Sequence, residues 1–307
     1  VSSIAQYRLA RRTSLVNWTS LKERKTLAIF LPNDASPQEV RDCLHEELAQ
    51  ALGPLNDLYR LPDSVFNDDN VHTVLTGFDM LILRAYYDPS LRNGMSKREV
   101  ASRIGGILSR INPRGAQYSP RRLTRTPRSW INSIQRALGP GASQKERMSA
   151  AKEAMQIAVA MGWSDHRRAF SHYAMGRLQM SVDLKSAREH FQIAARLYGQ
   201  SQSTRLHSAY AASQLASFYI AEGNGEAALK QIGPHLDTAA RYENAALLST
   251  LMLQRAEALD LAGRSSEART VRMDSLGWAR YGFGPDWAVR AKVREISSLS
   301  PLKRGRG

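Results

Sequence analysis

Apolar positions fall into two regimes along the chain. Up to about residue 113 they come in short groups of differing period; from about Met148 they recur at helical spacing almost without a break. Thr26–Pro32, TLAIFLP, is a continuous apolar run and predicts a strand. Val40, Cys43, Leu44, Leu48, Ala51 and Leu52 then recur at helical spacing and predict a helix with that stripe buried. Ser36, Pro37 and Glu39 open it as a capping box with proline in the first turn, and Gly53-Pro54 ends it. Leu75, Phe78, Leu81, Ile82 and Ala85 predict a second helix over Val74–Tyr86, ended by Asp88-Pro89. Ser96 opens a third, to about Arg110. Residues 1–25 are polar and basic, with Ile4, Leu9, Leu15, Trp18 and Leu21 at loosely helical spacing. Residues 54–72 read as a loop in which Asp63, Asn67, Asp68 and Asp69 serve turn formation.

Residues 114–147 read as a linker by composition, with Pro120, Pro127, Pro140 and many arginines, and one short docked helix around Trp130, Ile131 and Ile134. Residues 148–298 are alanine-rich and repetitive. Gly223 stands five positions before Ala228 and Gly263 five before Ala268; Ala187, Ala228 and Ala268 are spaced by 41 and 40 residues. This glycine-to-alanine spacing resembles the tetratricopeptide turn and second helix, with a longer period than the usual ~34 residues. The resemblance implies a concave face that receives a protein or peptide partner, with Arg177, Arg205, His207, Lys230 and Arg255 as candidates to line it. Trp278, Tyr281, Phe283 and Trp287 are expected to cap the last helices. Residues 299–307 form a basic tail.

The candidate chemistry lies on the first helix. A helical wheel puts Glu47 inside the apolar stripe, with Glu46 and Gln50 at its edge, and a carboxylate on a buried face requires a partner. The stretch Glu46–Asp57, EELAQALGPLND, resembles the metzincin zinc-peptidase motif. Under that resemblance Glu47 takes the general-base position, Gly53 the turn glycine and Asp57 the closing acid, and Glu46, Gln50 and Asn56 replace the three zinc histidines. Asn93-Gly94-Met95 is similar to the family's Met-turn. The stretch is also similar to an uncharacterised bacterial family described as zincin-like, with FNDD at Phe66–Asp69, TGFD at Thr76–Asp79 and YDPSLRNGM at Tyr87–Met95.

This resemblance implies an α+β zincin-like domain over residues 1–113, followed by an all-α tetratricopeptide-like array, mostly helical overall. A Glu/Gln/Asn set suits calcium, magnesium or manganese rather than zinc. The expectation is therefore a degenerate peptidase domain with no cofactor. Its alternative is a metal-dependent hydrolase with Glu47 as base and Glu46, Gln50 and Asn56 as oxygen ligands. A rival register through His45 fails because Ala49 stands at its second ligand position; His45 is expected on the surface and His72 as an isolated histidine. Asp79 is expected to face water.

Composition adds bounds. The 307 residues suffice for two domains and carry a net charge of +15. Residues 33–70 are net acidic by 7 charges and residues 92–136 net basic by 10, so an anionic partner is a candidate for 92–136. No nucleic-acid motif or aromatic stacking platform accompanies that strip. Cys43, the only cysteine, excludes an internal disulfide and is expected to pack rather than react. No apolar run is long enough to span a membrane. A metzincin fold needs more sheet than residues 1–35 supply, so a longer chain is expected upstream, and the family resemblance points to the cell envelope or periplasm, with the cytoplasm as the alternative.

Overall fold

The computed structural model describes residue 23 and residues 29–54, 58–119 and 123–303. It is 69 % helical, and its described residues contain no strand. That corrects the α+β zincin-like expectation. Ile29–Pro32, the described part of the predicted strand, is irregular chain leading into the first helix. An apolar run becomes a strand only where a second strand takes its backbone hydrogen bonds, and the described residues provide none.

Helix α1, Pro37–Ala51, begins at the predicted capping box: Ser36 Oγ accepts from Glu39 N at 3.2 Å, and Glu39 returns the bond to Ser36 N at 2.7 Å. Its inward face differs from the predicted apolar stripe. Gln38 and Ala49 are its buried residues, and Asp42 and His45 continue the same face at spacings of four and three. Leu48 and Leu52 are half exposed. The helix is turned this way because its partner is polar: Gln38 Nε2 donates to Asn244 Oδ1 at 3.3 Å and Gln38 Oε1 accepts from Ala246 N at 2.8 Å. Helices α2, Gly77–Tyr86, and α3, Lys97–Ile111, follow and pack together. Both open on capping boxes, Thr76/Asp79 and Ser96/Glu99.

The rest of the chain is a stack of antiparallel helical hairpins. Helices α4 (Arg128–Leu138) and α5 (Gln144–Ala160) form the first; α6 (His166–Gln179) and α7 (Leu184–Tyr198) the second; α8 (Arg205–Ala221) and α9 (Gly225–Ile232) the third. After the short α10 (Leu236–Arg241), α11 (Ala245–Leu261) and α12 (Ser265–Phe283) form the fourth, and α13 (Asp286–Ser297) lies against both. Helix α12 also packs against α1, so the amino-terminal part meets the far end of the stack.

The predicted linker is part of this stack: Trp130 is fully buried among Ile134, Ala154, Ala158, Trp163, Phe170 and Tyr59. Ala187, Ala228 and Ala268 are fully buried, where small side chains let helices approach closely. At Gly225 the approach is tightest: a β-carbon there would lie 2.4 Å from the Ala258 carbonyl on α11. Of the predicted aromatic cap, Trp278, Tyr281 and Trp287 are exposed, Trp287 by 68 %.

Candidate functional site

A segment of the same chain packs on the hairpins at His207, one of the residues expected to line a partner groove. Residues 58–76 run irregularly ahead of α2 and lie against α8, α9 and α11. Polar side chains hold the segment's own turns first. Asp79, in the first turn of α2, is fully buried. It accepts from Ser64 Oγ at 2.5 Å, from Val65 N at 3.1 Å and from Thr76 N at 2.8 Å. It is thus the anchor of the loop, not the water-facing residue predicted. Asp69 makes the predicted local turn through Val71 N at 3.2 Å. Val65 and Phe66 then pack on Ala49 of α1 with Leu75, Ile82 and Leu83.

The tip of the segment crosses to the hairpins. Asp69 Oδ2 accepts from Asn67 Nδ2 at 2.7 Å and lies 2.8 Å from His207 Nε2. Both side chains of the Asp69–His207 pair are almost fully buried, at 3 % and 1 % exposure. Val71 enters the apolar cluster of Leu206, Ala209, Ile232, Leu247 and Leu251. Thr73 Oγ1 donates to the Tyr242 carbonyl at 3.3 Å, and His166 Nε2 lies 2.5 Å from the Tyr59 carbonyl. His72 is the third buried histidine of this group; its Nε2 is 3.0 Å from the Pro62 carbonyl and its ring 5.8 Å from that of His207. Burial lowers the pKa of His72, and it lowers that of His166 to about 4. Both imidazoles are therefore neutral at pH 7.

Beside the Asp69–His207 contact lies a cavity of about 290 Å³. Its walls are aromatic, from Phe170 and Tyr173 on α6, Tyr198 on α7 and Tyr210 on α8; exposed Arg177 stands at its rim. Burial pushes the hydroxyls of Tyr198 and Tyr210 well above their usual range, so these two tyrosines stay neutral, while Asp69 and His207 complete the lining. Tyr210 accepts from Asn244 Nδ2 at 2.7 Å, which fixes its ring between the cavity and the α1 contact. Arg177 also borders a second depression shared with Arg147. Such a site can enclose an apolar or aromatic group and pair a neighbouring carboxylate with Arg177.

Of the residues named by the metzincin resemblance, Glu46, Glu47 and Gln50 lie on α1. Glu47 is exposed on the outer side of α1, not in a buried stripe. Glu46 and Gln50 meet one turn apart, Gln50 Nε2 donating to Glu46 Oε1 at 3.5 Å, so the amide nitrogen rather than its oxygen faces the carboxylate. Asn56 and Asp57 lie outside the described residues. Among the described residues no group of three or more His, Cys, Asp or Glu side chains could hold a metal ion. Gly53 does close α1, at φ 147°, where a β-carbon would lie 2.3 Å from the Tyr86 ring. Met95 sits in the turn between α2 and α3, its amide 3.3 Å from the Arg92 carbonyl. The apolar support beneath α1 comes from Val65, Phe66 and α2 instead. His45, expected on the surface, is half-buried and accepts from Leu75 N at 3.0 Å.

The fold class is a stack of helical hairpins that clasps its own amino-terminal segment. Residues 3–105 match the model of a family described as "Protein of unknown function (DUF2927)". That match spans α1, the inserted segment, α2 and part of α3. No curated protein and no solved structure matches the chain. No helix among the described residues is long and apolar enough to cross a membrane.

Proposed function

We propose that the chain is a partner-binding protein, and that its site is the tyrosine-lined cavity between α6, α8 and the inserted segment. The partner is a protein segment that places an aromatic or aliphatic side chain in the cavity and an adjacent carboxylate against Arg177. The observation that carries this reading is the inserted segment itself: the hairpins already hold this irregular stretch by one apolar side chain, Val71, and one carboxylate, Asp69. Arg177 is not among the ion-paired arginines of the described residues, and the cavity's aromatic walls favour an apolar group beside that cation. Under the tetratricopeptide-like reading of residues 148–298, such a stack presents a face to extended peptides.

A random peptide library displayed on phage and selected on the immobilised full chain tests this. The expected result is enrichment of sequences with Asp or Glu beside Phe, Tyr or Leu, and an affinity at least about tenfold lower for Arg177→Glu. Arg177 is exposed, so the variant keeps its fold, which circular dichroism checks. Peptides that bind parent and variant equally, or no enrichment, would overturn the reading.

A further inference from the structure

A second cleft, of about 640 Å³, opens on another side of the molecule. Arg60 from the start of the inserted segment lines one wall, and Arg125 and Arg128 line the other. No lining residue is acidic, and among the described residues none of the three arginines is in an ion pair. Three guanidinium groups around one space repel one another unless an anion lies between them.

The walls are held by buried contacts rather than by the arginines themselves. Arg167, 1 % exposed, donates to the Thr124 carbonyl at 2.8 Å and to Thr126 Oγ1 at 3.0 Å. Its guanidinium lies 3.8 Å from the Trp163 ring and is balanced by Asp165 at 2.6 Å. This pins the backbone that presents Arg125. On the opposite wall the contact of His166 with the Tyr59 carbonyl pins the residue before Arg60. Positions fixed in this way cost little ordering when a ligand arrives. Helix α4 also starts at this cleft, with Pro127 as its N-cap, no side-chain cap and no acidic residue in its first turn.

We propose that the cleft binds a compact polyphosphate group of pyrophosphate size, carried by a small molecule. Guanidinium forks meet phosphate oxygens two at a time, and three of them match an anion of several charges. The three arginines line a single cleft instead of a continuous track. The nearest ring, Tyr59, is 5 % exposed and packed edge-on against Trp130 at 5.2 Å, so it offers no face for stacking bases. Both features favour a compact phosphate over a nucleic-acid strand.

Isothermal titration of the full chain with inorganic pyrophosphate is the test. The expected result is saturable binding at one site, weakened at least about tenfold in the double variant Arg125→Glu/Arg128→Glu and unchanged in Arg98→Glu on α3. Arg128→Lys keeps the charge but loses the fork, and should bind more weakly than the parent yet better than Arg128→Glu. A nucleoside diphosphate binding tighter than pyrophosphate would identify the bearer as a nucleotide; equal binding would point to the inorganic ion or another bearer. No saturable binding, or an equal loss in Arg98→Glu, would overturn the proposal. So would a single-stranded oligonucleotide that binds the chain and is not displaced by pyrophosphate.

Discussion

Asp42 is the residue whose charge state most directly reports the contact between α1 and the hairpin stack. Burial raises its pKa from 3.8 to about 7, against the opposing effects of Gln38 and Arg41. Between about pH 4 and pH 7 the folded chain keeps a proton that the unfolded chain has released. Stability attributable to this residue therefore falls as pH rises through that window and is level above it. Asp42→Asn removes the penalty, so its gain in stability over the parent should grow from pH 4 to pH 7 and then stay constant. Urea midpoints of the two proteins across that range check this. His166 acts with the opposite sign. Its pKa is lowered from 6.5 to about 4 by burial, so its contribution is complete above pH 6.5 and is lost on acidification, when the unfolded chain takes up the proton first.

At the scale of elements, the inserted segment depends on Asp79, which satisfies two backbone amides and one hydroxyl from inside. Asp79→Ala should cost about 2–4 kcal/mol, measured by urea denaturation, because three buried donors lose their acceptor together. The bounds of the elements around it were legible in the sequence. Ser36/Glu39 and Ser96 mark α1 and α3, and Gly53-Pro54 marks the end of α1, because caps and turns are local. The face that α1 buries was not legible: Gln38, Asp42 and His45 turn inward because Asn244, Ala246 and Leu75 await them, and no wheel contains those partners. The same limit explains the predicted linker, whose prolines and arginines conceal Trp130 in a core formed with Trp163. It also explains the predicted strand, whose described part, Ile29–Pro32, meets no partner strand among the described residues. Of the candidate site, His207 and Asp69 each stood out singly, as a groove histidine and a turn acid. Their pairing, and the ring of Tyr173, Tyr198 and Tyr210, follow only from the insertion.

For the whole molecule, that insertion ties the stretch before α2 to the hairpins through the buried Asp69–His207 pair and Val71. Removing one partner leaves the other polar group buried without compensation. Asp69→Ala should therefore loosen residues 58–76 as a unit while the hairpins stay folded. Limited proteolysis followed by mass spectrometry should show new cuts in that segment at a denaturant concentration where the parent resists. Cuts spread evenly over the chain would mean that the pair does not hold the segment separately.

The same arrangement has a consequence for how the molecule is made. Gln38 meets Ala246 across 208 residues of chain, and Asp69 meets His207 across 138. The segment leaves the ribosome long before the helices that receive it. At a synthesis rate of about 5–20 residues per second, Gln38 waits on the order of 10–40 s for its partner to appear. Loop closure over such distances is entropically slow, so docking of the segment on the hairpins comes late in folding, and Val71, whose apolar partners all lie beyond residue 200, stays uncovered until then.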